Sequence, residues 1–266
     1  MNHVLFIAWR SAGPTNGRWG PVGRLAHGPA GYQFVYTRGA TTLEGFRPFP
    51  GMPDLDVVYE SDSLFPLFAN RLLSESRPEY EAFLAWGGFD PADPPDPLAI
   101  LGVTQGMRQT DSLELFPCPA PDAAGCYVSK FFLHGVRWMP PAALERIARL
   151  RPAELLGVML DISNLYDRNA VAVRTCDRGG RFLIGYVPRY LSQDVRELCT
   201  TCEPDFIELK VERVNPHAPL QQRLLCRMST CWPQGFRPCS GTEYQLLVGE
   251  MSSLAVRPQP RERDRR

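Results

Sequence analysis

Lysine is almost absent from this sequence of 266 residues: only Lys130 and Lys210 are lysines, and arginine carries the rest of the 29 positive charges. The 29 Asp and Glu residues balance them, so the formal net charge is zero. An arginine bias is typical of a GC-rich genome as well as of phosphate binding. By itself it therefore does not indicate a function.

Long apolar runs are also missing. The longest, residues 4–9 and 155–160, fall well short of the roughly 18 residues that span a bilayer. The N-terminus has no basic segment followed by an apolar stretch and a small-residue cleavage site, so we expect no secretory signal. We therefore predict a cytoplasmic protein without a membrane partner, and leave association with the nucleoid open.

Motifs of several enzyme classes are absent as well. The sequence has neither a Gly-x-x-x-x-Gly-Lys-Ser/Thr phosphate-binding loop nor a Gly-x-Ser-x-Gly motif. Its four histidines do not follow a metal-ligand spacing; they are His3, His27, His134 and His217. We expect no cofactor and no catalytic residues. A metal-dependent nuclease that uses Asp161 and Asp167 is a minor alternative.

The eight cysteines are expected to be reduced thiols or metal ligands, since disulfides are rare in the cytoplasm. Cys199 and Cys202 have the two-residue gap of a zinc knuckle, and Cys226 with Cys231 would complete a loosely matching set of four. Alternatively, Cys199 lies near the end of a helix and Cys226 within a strand, each packed as a small apolar residue.

What the sequence does contain is the composition of a folded protein and an uneven charge. Apolar residues make up 44% and charged residues 22%, as in globular proteins. Residues 1–117 hold 8 Arg against 13 Asp and Glu, whereas residues 126–196 hold 11 basic against 6 acidic side chains. The second region would form a phosphate-binding face if the fold collects its charge on one side. Otherwise it is a mixed, solvated surface.

The pattern of strands and helices indicates an α+β protein. In the first half, residues 32–36 alternate aromatic and other side chains like a half-buried strand. Residues 3–10 also read as a strand, and residues 61–72 and 76–86 as helices, the second with a capping box. The breaker-rich residues 118–125 are interpreted as a linker.

The second half consists mostly of short strands, with helices after Pro140 and Pro188. The predicted strands cover residues 127–133, 155–161, 170–175, 182–187, 206–214, 223–228 and 244–248. Many short strands around two helices are typical of a small closed or nearly closed barrel. We predict a mixed α/β N-terminal domain (1–117), the linker (118–125), a barrel domain (126–250) and a mobile arginine-rich tail (251–266).

Three sequence motifs follow one another in this second half. Residues 135–138 read Gly-Val-Arg-Trp, residues 164–170 read Asn-Leu-Tyr-Asp-Arg-Asn-Ala, and Gly185 is followed six residues later by Leu191. Together they resemble the HIRAN domain, a family with a Gly-x-Arg-aromatic strand, an Asn-x-Tyr-Asp-x-Asn-Ala loop and a Gly-x-x-x-x-x-Leu turn from strand to helix. Their order here is the family's order, as in a stand-alone bacterial member.

The resemblance implies an OB-like or SH3-like barrel with two helices. It also implies a non-catalytic module that recognises the 3′-hydroxyl end of single-stranded DNA, in DNA repair or phage defence. Asp167 would accept a hydrogen bond from the terminal hydroxyl, and Tyr166 and Trp138 would stack on bases. Arg137 and Arg189 would hold the neighbouring phosphates.

Tyr186 would donate its hydroxyl to the same DNA backbone. Each of these residues also fits a structural role: Tyr166 and Trp138 as packed aromatic rings, and Asp167 as a cap for its own loop. For Arg137 the alternative is an ordinary surface arginine.

The first half is similar to the small N-terminal domain of HipA-type kinases through residues 32–36, 46–51 and 64–67. The kinase core of that family is absent. We expect this acidic, aromatic-rich half to bind a helicase, nuclease or other protein partner, or to brace the barrel. The alternative function is therefore a protein-interaction or regulatory component, antitoxin-like or kinase-related, that does not bind DNA ends.

Overall fold

The computed structural model describes residues 3–10, 18–108, 112–178 and 180–249. The predicted tail over residues 251–266 lies outside them. The described residues form two antiparallel sheets with few helices, which confirms the α+β class. In these parts of the chain every helix is too short or too polar to span a bilayer.

The described part of the first half forms a sheet of five strands with short helices. In chain order its elements are β1 (His3–Arg10), β2 (Trp19–Gly28), β3 (Gly31–Tyr36), α1 (Gly39–Thr42), β4 (Tyr59–Ser61), α2 (Pro66–Ala69), α3 (Tyr80–Trp86), α4 (Pro97–Thr104) and β5 (Leu113–Pro117). The strand order is β4-β3-β2-β1-β5. The predicted aromatic strand is β3, whose Tyr32, Phe34 and Tyr36 are all buried, because every second side chain of a strand points to the same face.

The sequence did not predict β2, because Gly20, Pro21 and Gly23 read as a turn. Pro21 lies opposite Ala8 at an irregularity in the pairing of β1 and β2, where a proline is tolerated. A Cβ atom on Gly23 would lie 2.4 Å from the Phe34 ring. Glycine therefore permits close packing in this strand.

The helix predicted over residues 61–72 is limited to the four residues of α2. Pro66 is its first residue and cannot donate a backbone hydrogen bond, which favours the start of a helix and not its interior. The second predicted helix of the first half corresponds to α3.

The second half forms the predicted barrel. Its elements are β6 (Cys126–Phe132), α5 (Pro141–Ala148), β7 (Leu155–Leu160), β8 (Val171–Thr175), β9 (Leu183–Tyr186), α6 (Arg189–Thr201), β10 (Glu208–Val214) and β11 (Leu224–Cys231). The sheet runs in the order β6-β11-β10-β7-β8-β9. His134, just after β6, exchanges two backbone hydrogen bonds of 2.9 Å with Tyr186 of β9. This bridge joins the two ends of the sheet.

The strand predicted over residues 244–248 is wrong. Thr242–Tyr244 is a short 3-10 helix, and the residues after it lie against the first half. The backbone N–H of Arg38 donates to Gln245 O (2.7 Å), and that of Leu247 donates to Tyr36 O (3.0 Å). The apolar residues of this segment pack against the first sheet. The six strands β6 to β11 form the sheet of the barrel without it.

The described residues form two hydrophobic cores, one within the first half and one that contains residues of both halves. Phe116 of β5 is fully buried and stacks on Tyr190 of α6, with ring centroids 4.7 Å apart. Phe6 of β1 meets the ring of Tyr244 edge-on at 5.0 Å. These residues belong to the same buried cluster as the barrel interior. The strands of one sheet precede the predicted linker in the sequence and those of the other follow it, whereas this core contains residues from both sides. The division into domains stays a prediction.

Candidate functional site

The loop between β7 and β8 is shaped by the carboxylate of Asp161. This group accepts hydrogen bonds from Ser163 (N–H, 3.2 Å; hydroxyl, 3.0 Å) and from Asn164 Nδ2 (3.1 Å). The Tyr186 hydroxyl donates to it as well, at 3.2 Å. The hydrogen bond from Asn164 is the main reason why the pKa of Asp161 is lowered. Asp161 thus stabilises the conformation of the loop through these hydrogen bonds.

The next residues of the loop are held by side-chain to backbone hydrogen bonds. Asn164 Oδ1 accepts from the N–H groups of Tyr166 (3.0 Å) and Asp167 (3.1 Å), and Asp167 Oδ1 accepts from the N–H of Asn169 (2.9 Å). Bonds of this kind stabilise turns without a regular ladder. They leave the Tyr166 side chain 72% exposed and Asp167 half-buried.

A cavity of about 460 Å³ opens between this loop and the start of α6. Tyr166, Asp167, Arg189 and Trp19 are among the residues that line it, and we call it the small cavity. The Arg189 guanidinium lies 5.8 Å from the centroid of the Trp19 ring. Burial lowers the pKa of Arg189, and the negative charge of Asp167 opposes that effect. A carboxylate and a guanidinium therefore act on each other within one cavity.

Arg137 and Trp138 lie in the 3-10 helix Val136–Trp138 and not in the strand that the family resemblance implied. Gly135 precedes it with φ at 72°, a conformation that glycine adopts without steric cost. A Cβ atom at this position would lie 3.2 Å from the Tyr186 ring. The turn presents both side chains outward: the Arg137 guanidinium lies 4.6 Å from the Trp138 ring centroid, and Trp138 is 74% exposed.

Next to this turn lies a second cavity of about 900 Å³, which we call the large cavity. Both halves of the protein line it, with charged or aromatic side chains from Arg10, Arg108, Glu114, His134, Arg137 and Trp138. Arg10 ends β1 and Arg108 follows α4, whereas the turn residues come from the barrel.

The six predicted site residues therefore divide between two cavities. Tyr166, Asp167 and Arg189 line the small cavity, and Arg137 and Trp138 line the large one. Tyr186 connects the two groups: its ring packs beside the turn glycine, and its hydroxyl reaches the loop.

Glu114 links the walls of the two cavities. Its carboxylate accepts one hydrogen bond from Arg10 (2.7 Å) in the large cavity and another from Trp19 Nε1 (3.0 Å) in the small one. The Glu114 side chain is only 7% exposed. Buried carboxylates are paired in this way because an unpaired buried charge is costly.

A second link is made of neutral groups. His134 Nε2 lies 2.8 Å from Gln105 Oε1, and Gln105 Nε2 donates to the Tyr190 hydroxyl at 3.3 Å. Burial lowers the pKa of His134, which favours the neutral ring. The chain of hydrogen bonds runs from the large cavity, through the first half, to the residue that follows Arg189.

Sequence reasoning missed Arg10, Trp19, Glu114 and Gln105, because their partners are 29 to 104 residues away along the chain. One signal was available. Glu114 interrupts the apolar run of β5, and a charged residue in such a run indicates a buried pair.

The described residues contain no group of three or more His, Cys, Asp and Glu side chains that could hold a metal ion. Of the four cysteines considered for zinc, Cys202 and Cys231 are close together, with sulfur atoms 2.8 Å apart. Cys226 lies fully buried in β11 and Cys199 near the end of α6, which are the packing positions expected of small apolar residues.

In a comparison with known protein families, residues 126–230 of the second half match the family model of the HIRAN domain. Two solved structures are similar to the chain, both with a TM-score of 0.30. A protein from Lactobacillus plantarum is 20% identical, over 40% of this chain and 97% of that one. The HIRAN domain of human HLTF is 17% identical, over 41% of this chain and 80% of that one. A search of curated proteins found no match.

Proposed function

Because residues 126–230 form a HIRAN domain, a family known for DNA binding, we propose that this protein binds the free 3′-hydroxyl end of single-stranded DNA in the small cavity. The observation that carries the proposal is the placement of Asp167 and Arg189 in one cavity, with the exposed Tyr166 ring beside them. A hydrogen-bond acceptor, a phosphate-binding cation and a stacking surface are the three groups that a strand end requires.

Asp167 is the group that distinguishes an end from a continuous strand. A terminal hydroxyl can donate a hydrogen bond to a carboxylate, whereas a 3′-phosphate has no donor there and brings a second negative charge. Hydrogen bonds to charged groups contribute about 1.5–3 kcal/mol. The preference for a hydroxyl end is therefore expected to be on the order of tenfold to a hundredfold.

The other predicted residues position the strand next to its end. Arg189 offers the forked donors that match a phosphate group, and Tyr166 offers a face on which a base can stack at about 1–3 kcal/mol, with little regard to sequence. Arg137 and Trp138 repeat this pair of groups at the large cavity. Tyr186 would donate its hydroxyl to the DNA backbone in exchange for its bond to Asp161.

HIRAN domains are generally non-catalytic, so on this proposal the protein recognises DNA ends in the cytoplasm or at the nucleoid. A helicase, nuclease or other partner would act on the DNA. DNA repair and phage defence are the processes in which such ends arise, and we propose a role in one of them.

We expect Asp167→Ala to remove the preference for a hydroxyl end. The measurement is fluorescence anisotropy with 5′-labelled single strands that carry either a 3′-hydroxyl or a 3′-phosphate. The unchanged protein should prefer the hydroxyl by at least about tenfold, and the variant should bind the two strands within about twofold.

Asp205→Ala is the matched control, since Asp205 is an exposed aspartate of the same half that lines neither cavity. Its preference should equal that of the unchanged protein. If Asp167→Ala keeps the full preference, or if the unchanged protein has none, the proposed recognition of ends is wrong.

A further inference from the structure

The first half of the chain forms one wall of the large cavity. Arg10 and Arg108 come from the first half and Arg137 from the barrel, and all three side chains are exposed. Glu114 is the one acidic side chain among the described residues that line this cavity. Three guanidinium groups and one carboxylate thus line the cavity, which as a whole is positively charged.

Glu114 leaves N–H donors of Arg10 and Arg108 available to a ligand in the large cavity. It is directed at Arg10 and at Trp19 Nε1, and its side chain is nearly buried. A guanidinium has five N–H donors. Arg10 donates to Glu114, and Arg108 donates to the carbonyl oxygen of Asn70; both side chains are exposed enough to offer further donors to a phosphate group in the cavity.

Contacts between side chains join the walls of the two cavities. Arg10, Glu114, Trp19 and Arg189 follow one another from the large cavity to the small one, through two hydrogen bonds and a contact between a cation and a ring. A strand that ended beside Arg189 would therefore meet Arg10 next if it continued along this wall. The exposed Trp138 ring, which also lines the large cavity, offers a face for a base.

We propose that the first half is part of the DNA-binding surface: the strand whose 3′ end lies in the small cavity continues through the large cavity, where Arg10 and Arg108 hold its phosphates. This inference rests on the proposed function and extends it to residues outside the HIRAN domain. The ligand is a single strand of several nucleotides, within the range of about 4–16 that barrels of the OB type bind.

The test compares a 5′-labelled dinucleotide with a strand of about 12 nucleotides, both with a 3′-hydroxyl, in the full chain. The double variant Arg10→Gln/Arg108→Gln should bind the longer strand at least about tenfold more weakly and the dinucleotide within about twofold. Its salt dependence should decrease by about 1.4 in the logarithmic slope, since each phosphate contact on a single strand contributes about 0.7.

The matched control is Arg47→Gln/Arg77→Gln, which removes two exposed arginines of the same half that line neither cavity. It should leave both strands unaffected. The single variant Arg108→Gln, which keeps the ion pair of Arg10, should weaken binding of the longer strand by about half the logarithmic change and lower the slope by about 0.7.

The outcomes separate this inference from the proposed function. If the double variant binds the longer strand like the unchanged protein while the hydroxyl preference depends on Asp167, the strand leaves the small cavity by another route and the inference is wrong. If the hydroxyl preference is missing in the unchanged protein, the proposed function fails first. Equal weakening of dinucleotide and longer strand, in a double variant whose unfolding transition is unchanged, would also overturn the inference, because it would place Arg10 and Arg108 at the end itself.

Discussion

Asp194 is buried on α6 and is one of the residues that line the small cavity. Burial raises its pKa to about 7, and the charge of Glu197 adds to this effect. Burial raises the pKa values of Tyr127 and Tyr244, and hydrogen bonding to Cys118 raises that of Cys239; the negative charge of an ionised Asp194 adds to each effect. A protonated carboxyl group is the stable form in these surroundings, because ionisation would place a charge in a poorly solvated site.

The raised pKa of Asp194 predicts a stability that falls as pH rises. Between the ordinary pKa of 3.8 and about 7, the folded state binds the proton and the unfolded state does not. The free energy of unfolding should therefore decrease across this window and level off above about pH 7. The decrease from this group is about 4 kcal/mol.

Asp194→Asn should remove this dependence and raise stability at about pH 8, where the cost of ionisation is fully present. Urea unfolding at a series of pH values measures it. The exposed Asp205→Asn serves as the control and should keep the slope of the unchanged protein. If the Asp194→Asn variant is no more stable than the unchanged protein at about pH 8, ionisation of Asp194 does not destabilise the fold and the prediction is wrong.

At the scale of elements, the barrel closes where His134 pairs with Tyr186. Gly185 makes this approach feasible, because a Cβ atom there would lie 2.6 Å from His134 O and 2.8 Å from the Leu133 side chain. Its φ of 153° is a further reason for glycine. The glycine of the third sequence motif thus has a structural explanation in the closure of the barrel.

We expect Gly185→Ala to destabilise the protein by more than about 2 kcal/mol. It should also weaken DNA binding, since the turn with Arg137 and Trp138 follows directly from the closing bridge. Gly180→Ala is the control, because a Cβ atom on Gly180 meets no other atom within 4 Å. Chemical unfolding gives the stabilities; equal values for the two variants would show that the closing bridge does not depend on glycine.

For the whole molecule, the shared core predicts that the two halves unfold together. Phe116→Ala removes a fully buried ring between the first sheet and α6, and such truncations cost about 3–5 kcal/mol. Unfolding followed by far-ultraviolet circular dichroism and by tryptophan fluorescence should show one transition with both probes. The free energy of unfolding from either probe should be lower by this amount. Phe206→Ala, which truncates a ring that is 64% exposed, should change little. Two separate transitions would indicate that the halves are independent.

The alternative that the first half binds a protein partner is tested at the same scale. A pull-down of the full chain from native extract, with and without nuclease, distinguishes a protein bound directly from one bridged by DNA. Recovery of nucleic acid without a stoichiometric protein would contradict the alternative. The similarity of this half to HipA-type kinases stays a prediction.

Local patterns in the sequence were sufficient for much of the fold. Alternating aromatics predicted β3, proline and capping patterns predicted α3, α5 and α6, and the three motifs predicted the HIRAN domain. These features depend on neighbours within a few residues, because hydrophobic periodicity and turn chemistry act locally. The same patterns misread β2, where Gly23 is needed for the Phe34 ring of another strand.

By itself, the sequence determined the residue types of the candidate site: an aspartate, three aromatic side chains and two arginines in recognisable motifs. Only the tertiary structure decided that they divide between two cavities and that Arg10, Trp19 and Glu114 of the first half connect them. The physical reason is that a buried carboxylate pairs with whichever donors the fold brings close to it, whatever their distance along the chain. No short pattern along the chain records a contact across about a hundred residues.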